Sequence, residues 1–173
     1  MDMKVFKYIA MSLFLTMSFV SCNTENDDFD IEYTAIHPIG GQYTVDITDE
    51  TGTVVAEHQA CYLANTSDNS SIQCWIRIGN YNASAALASS INGKIGCSVA
   101  DLTFSGSNVM NLAGNVTTAT ETFNVVGGKI ELNGVEAPSG TIADKISFTY
   151  TRTNFPGKTY TVTGYRYTGW PED

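Results

Sequence analysis

The chain has 173 residues, 43% of them hydrophobic, and a formal net charge of −9. Its 9 Lys+Arg are scattered with no cluster, which argues against a nucleic-acid partner and against charge-driven binding to anionic lipid headgroups. The length suits one domain with a core that needs no covalent staples.

The N-terminus reads as a secretory leader. Lys4 and Lys7 precede an uncharged, almost wholly apolar run over 8–20, too short to span a bilayer as a mature helix. The run ends in Phe19-Val20-Ser21-Cys22, a frame that resembles the lipobox of bacterial lipoproteins. In that chemistry the cysteine thiol takes up a diacylglycerol as a thioether, and cleavage before Cys22 leaves a lipidated N-terminus. Each buried acyl CH2 contributes about 0.8 kcal/mol, so two or three chains anchor firmly. Glu25, Asp27, Asp28, Asp30 and Glu32 follow, a solvated acidic tether. The run also resembles the acidic export signal of some Gram-negative surface lipoproteins. The expectation is an outer-membrane lipoprotein displayed at the cell surface, with the periplasmic face as the alternative. Residues 1–21 are then the signal peptide, 22–34 the lipidated cysteine and tether, and 35–173 a single domain. Loss of Asp2, Lys4 and Lys7 leaves 7 Lys+Arg against 17 Asp+Glu, a mature net charge of −10.

The body is rich in Thr, Val, Ile and Tyr, interrupted by glycine. Residues 42–48 (QYTVDIT) alternate Tyr43, Val45 and Ile47 with polar residues, the pattern of a half-buried strand. A turn at 49–52 leads to a longer strand over 53–65, with apolar residues on both parities. Another turn at 66–71 precedes a strand over 72–79, with Ile72, Cys74, Ile76 and Ile78 on one face and Trp75 and Arg77 on the other. Residues 84–91 (SAALASSI) have the composition of one short helix. Strands are expected at 94–100, 102–105, 108–113, 121–126 and 129–133. The Gly pairs at 40–41 and 127–128 read as turns or bulges, because a phosphate loop needs different spacing and a following helix.

The last two strands carry the clearest pattern. Residues 145–153 put Ile146, Phe148 and Tyr150 on one face. Asn154-Phe155-Pro156-Gly157 turns, and 158–168 returns with Tyr160, Val162, Gly164 and Arg166 on one face. Pairing 150 with 160 and 148 with 162 makes the apolar faces coincide. Eight to ten antiparallel strands with at most one short helix predict an all-β, up-and-down barrel, with a β-sandwich as the alternative.

If Cys22 carries lipid, Cys61, Cys74 and Cys97 remain. Cys61 and Cys74 flank the 66–71 turn and are placed to face each other across a hairpin; the other reading is three small buried hydrophobes. No metal site is expected, since His37 and His58 lack ligand spacing and no C-x-x-C is present. Nothing calls for a cofactor. No G-x-S-x-G occurs, and neither histidine has a nucleophile fixed by local sequence, so no catalytic residue is assigned.

The segments HPIGGQY (37–43), VVGGKIELNG (125–134) and GYRYTGW-P-E-D (164–173) resemble a family of small bacterial lipoproteins called lipid-binding putative hydrolases. The resemblance covers roughly 33–173. It implies a lipocalin-like, calycin-type barrel and carries both functional labels. Lipocalin-type barrels often stack an arginine of the last strand over an aromatic of the first, parts that fall to Arg166 and Tyr43 here, although lipocalins typically have Trp at the latter position.

Two functions follow. In the first, the barrel binds a lipid or other small hydrophobic ligand, with Phe148, Tyr150 and Tyr160 as lining and Arg166 as carboxylate partner; the competing role for these aromatics is core filling. In the second, the protein is a non-catalytic accessory subunit of an outer-membrane nutrient-uptake system. It would bind glycan or a partner protein through Trp75, Tyr165, Tyr167 and Trp170. Hydrolase activity is a weaker third reading.

Overall fold

A computed structural model describes residues 32–79, 87–114, 119 and 121–173. Eight strands follow one another: β1 (Gly41–Thr48), β2 (Val54–Asn65), β3 (Gln73–Ile78), β4 (Asn92–Ser98), β5 (Thr103–Met110), β6 (Thr122–Glu136), β7 (Ile142–Arg152) and β8 (Thr159–Arg166). Each pairs antiparallel with the next, and β8 pairs with β1, so the sheet is a closed up-and-down barrel. Closure leaves no unpaired edge, which settles the choice against a sandwich.

Alternation decides which side chains face in. Tyr43, Val45 and Ile47 of β1 are buried, as are Cys74, Ile76 and Ile78 of β3 and Ile146, Phe148 and Tyr150 of β7. Full burial of such a side chain stabilises by roughly 1.5–3 kcal/mol. The β7–β8 register pairs Tyr150 with Tyr160 and Phe148 with Val162, as the alternation required. Ile72 departs from its expected face. It lies outside β3 and is 69% exposed, because the pleat that turns Cys74 inward begins only at Gln73.

Bulges explain where strand boundaries differ from expectation. In β2 the register shifts between Val45↔Gln59 and Ile47↔Ala56. His58 there takes a positive φ of 51° and donates its amide to the Asp46 carboxylate at 2.9 Å. The inward parity therefore changes within one strand, which is why apolar residues occur on both parities. The expected strands 102–105 and 108–113 are one strand, β5, shifted between Gly106 and Val109. Strands 121–126 and 129–133 are likewise one 15-residue strand, β6, bulged at Gly127–Gly128. Gly127 has φ +65°, and a β carbon on Gly128 would lie 2.4 Å from the Phe104 ring, so the pair serves both the bulge and a close approach to β5. The expected helix over 84–91 lies partly outside the described residues; 87–91 form a turn and extended chain, and no helix occurs among the described residues.

Candidate ligand-binding site

The two barrel ends differ. At one end a turn over 34–40 crosses the bottom of the barrel. Its Ile36 and Ile39 are fully buried, and Tyr43 Oη donates to the Ile39 carbonyl at 2.8 Å. Arg166 fastens this plug. Its guanidinium lies 5.1 Å from the Tyr43 ring centre, and Tyr43 and Arg166 are register partners across the β1–β8 seam. Arg166 Nε donates to Asp144 Oδ2 at 2.8 Å, Nη2 to the Pro38 carbonyl at 3.1 Å, and Nη1 to the Gly40 carbonyl. Burial pushes the Tyr43 phenol up, opposed by the positive Arg166. Arg166 thus spends its donors on the plug and on Asp144 rather than on the barrel interior.

The opposite end is the mouth, framed by the β1–β2 and β7–β8 turns and by the chain between β3 and β4 and between β5 and β6. Towards it runs an aromatic ladder on the inner wall. Phe104 meets Phe148 edge-on with centroids 5.4 Å apart, Phe148 lies 6.4 Å from Tyr150, and Tyr150 stacks on Tyr160 at 5.0 Å. Tyr150 Oη donates to the Ala88 carbonyl at 2.9 Å, and burial raises its phenol pKa. Phe148, Tyr150 and Tyr160 are therefore together on the wall, whereas Arg166 is at the far, plugged end.

Sequence reasoning did not single out the ion pair at the mouth. Arg152 and Glu121 are buried, with side chains 0% and 1% exposed. Arg152 Nε donates to Glu121 Oε2 at 3.2 Å and Nη2 to Oε1. Arg152 Nη1 donates to the carbonyls of Leu87 and Ala88, the latter at 3.1 Å. Asn111 completes the network, donating to Glu121 Oε1 at 2.7 Å and to the Ser90 carbonyl at 3.2 Å. The pair binds the 87–91 segment across the mouth. The available signal was parity: Arg152 continues the inward series 146, 148, 150, and Glu121 continues 123, 125.

The four aromatics assigned to a partner surface are not one patch. Trp75 is half-buried on β3 beneath Lys94, whose Nζ is 5.7 Å from its ring. Tyr165 is half-buried on β8, three strands away, about 14 Å around the wall. It lines a surface groove of about 290 Å³ with Asp46, His58 and Lys145. Tyr167 and Trp170 are exposed beyond β8 at the plugged end. Cys22 lies outside the described residues.

Cys61 pairs with Ile78, and Cys74 with Asn65, so these cysteines are four residues out of register rather than opposite. All three described cysteines are free thiols, Cys61 and Cys74 fully buried. The His37 ring packs 4.0 Å from Tyr33 at the plug, while His58 stands on the β2 bulge. Among the described residues no three His, Cys, Asp or Glu side chains converge as a metal-ligand set.

A redesigned β-barrel of known structure is similar at 18% identity, covering 78% of this chain and 96% of its own, with a TM-score of 0.43. No curated protein matches. The model of the family described as "Lipid-binding putative hydrolase" matches residues 28–171, and the chain belongs to that family.

Proposed function

We propose that the barrel carries a lipid or other small hydrophobic ligand, admitted at the mouth and held against the aromatic ladder. The observation that carries this reading is the aromatic wall: Phe148, Tyr150 and Tyr160 line the interior beneath the mouth, which the 87–91 segment spans, while Ile36, Ile39 and the Arg166–Tyr43 contact seal the opposite end. Membership of a family with a lipid-binding label supports it. A largely apolar wall with a few hydroxyl groups suits an acyl chain with a small polar head. Hydrolysis has less support, because His37 and His58 occupy separate surface environments and neither joins the ladder.

The F-V-S-C frame and the acidic run support an outer-membrane lipoprotein anchored through Cys22 and displayed at the cell surface. Native mass spectrometry of protein purified gently from its own host tests the carrier reading. A bound species of a few hundred daltons, lost on delipidation, is expected. An apo mass with no uptake from a fatty-acid panel would overturn it and turn the reading to an accessory protein of an uptake system.

A further inference from the structure

Among the described residues, exposed apolar side chains are unevenly shared between the two barrel ends. Tyr33, Ile72, Leu132, Ile142, Tyr167 and Trp170, each 43–69% exposed, all stand at the plugged end. On the mouth half the exposed large apolar residues among those described are Val54, Val55, Leu87, Met110 and, on the outer wall, Val126, with no aromatic ring among them. Hydrogen bonds join the plugged end into one platform. Asn69 of the β2–β3 loop accepts from the Ala35 amide at 2.9 Å, tying the loop that ends at Ile72 to the segment that begins at Tyr33. Ser139, at the tip of the hairpin carrying Leu132 and Ile142, donates its amide and hydroxyl to Asp173 at 2.9 and 3.0 Å. Thr168 also donates to Asp173, so the tail with Trp170 is fastened to the hairpin.

We infer that this platform is a membrane-facing surface whose six apolar side chains settle into the headgroup–acyl boundary of the bilayer that holds the protein, with the mouth directed away. The inference rests on the Cys22 anchor proposed above. Three observations favour a bilayer as occupant. The described fold begins at this end, and the eleven residues from Cys22 to Tyr33 reach at most roughly 40 Å, so an acylated Cys22 would tether this end within that reach of the membrane. The mixture of Trp, Tyr and aliphatic side chains suits the interface, where a ring buries its body and wets its polar edge. The basic groups at this end already face carboxylates: Lys129 and Lys145 pair with Glu131, and Arg166 with Asp144. Attachment is therefore apolar and independent of anionic lipid.

The chain has two tryptophans, Trp75 and Trp170, which makes the face measurable. Full protein is purified with its anchor and reconstituted in phosphatidylcholine vesicles with brominated acyl chains. Trp75→Phe (or Trp75→Tyr, should that variant fold poorly) leaves Trp170 as the only emitter. Asn154→Trp with both native tryptophans replaced by Phe reports the mouth end. Trp170 emission is expected to shift to the blue and fall at least twofold on bromination, while the residue-154 reporter stays unchanged. Unquenched Trp170, or equal quenching at both ends, overturns the face. So does a blue-shifted but unquenched Trp170 in a chain that sediments as a dimer, which would assign the platform to a second copy. An intact mass without acyl chains overturns the anchor and the choice of a bilayer together. An acylated, vesicle-bound chain with unquenched Trp170 overturns the face alone.

Discussion

Arg166 and Tyr43 face each other across the only seam joining the first strand to the last, the guanidinium 5.1 Å from the ring centre. The contact unites three functions: it closes the barrel, holds the 34–40 plug through the Pro38 and Gly40 carbonyls, and pairs with Asp144 of β7. A cation on a ring gains roughly 0.5–2 kcal/mol, and hydrogen bonds from a charged donor about 1.5–3 kcal/mol each before partial exposure reduces them. Arg166→Ala is expected to lower stability by about 2–4 kcal/mol in urea denaturation. Tyr43→Phe removes the hydroxyl, with its bond to Ile39 and its interaction with Arg166, but keeps the ring under the guanidinium, and should cost about 1 kcal/mol. Arg166→Lys keeps the charge but loses the fork, and should resemble Ala more than wild type. A loss in Arg166→Ala no larger than in Tyr43→Phe would show that the seam does not depend on the guanidinium.

The Glu121–Arg152 pair invites a different comparison. Breaking a buried pair strands a charge and costs about 3–5 kcal/mol, whereas replacing both partners with apolar residues is often neutral. Glu121→Ala should therefore be strongly destabilising, and Glu121→Leu combined with Arg152→Met much less so. Because Arg152 also holds the Leu87 and Ala88 carbonyls, even the stable double variant should expose the 87–91 segment. Hydrogen exchange at the Ser90 amide, which donates to the Leu87 carbonyl, reads this directly. Unchanged protection there would separate the ion pair from any role in closing the mouth.

Two glycines make a paired test of wall geometry. A β carbon on Gly164 would lie 2.1 Å from the Thr44 carbonyl oxygen and 2.7 Å from Val45 Cα, both backbone atoms of β1 that cannot move aside without opening the seam. On Gly96 it would find its nearest neighbour at 3.5 Å, an ordinary contact. Gly164→Ala is expected to cost at least about 2–3 kcal/mol or to prevent folding, and Gly96→Ala to change stability by less than about 1 kcal/mol. Equal thermal midpoints for the two variants would contradict the close approach of β1 and β8.

Much of this architecture is written in local alternation, and the misses share one cause. The β7–β8 hairpin was readable because Phe148, Tyr150, Tyr160 and Val162 alternate cleanly on either side of a Pro-Gly turn. β5 and β6 were each read as two strands because Gly106, Asn108 and the Gly127–Gly128 pair carry the same signal whether the chain turns back or merely bulges. Only partners on both sides decide between those outcomes, and they are far away in sequence. The aromatic wall followed from parity. The Arg152–Glu121 pair did not, because a charged residue at the end of an apolar series looks like a strand leaving the core until its opposite charge is found 31 residues away.

The buried thiols and phenols set the alkaline limit of stability. Burial pushes the Cys61 thiol up to about 12 and also raises the phenols of Tyr43 and Tyr150. Each group is an acid whose neutral form is favoured by folding. Its contribution is complete below the unfolded pKa, about 8.5 for Cys and about 10 for Tyr, and is lost as pH rises towards the folded value. Stability should be flat from neutral pH to about 8.5. Above that, each such group removes about 1.4 kcal/mol per pH unit while it is ionised only in the unfolded chain. Cys61→Ala gives up some packing but carries no thiol, so its denaturation midpoint should fall less steeply than wild type between pH 8.5 and 10. Alkylation should agree, with Cys61 inert in the folded protein and labelled only on unfolding. Parallel pH profiles for the two proteins would show that the Cys61 thiol is not sequestered from water as its full burial requires.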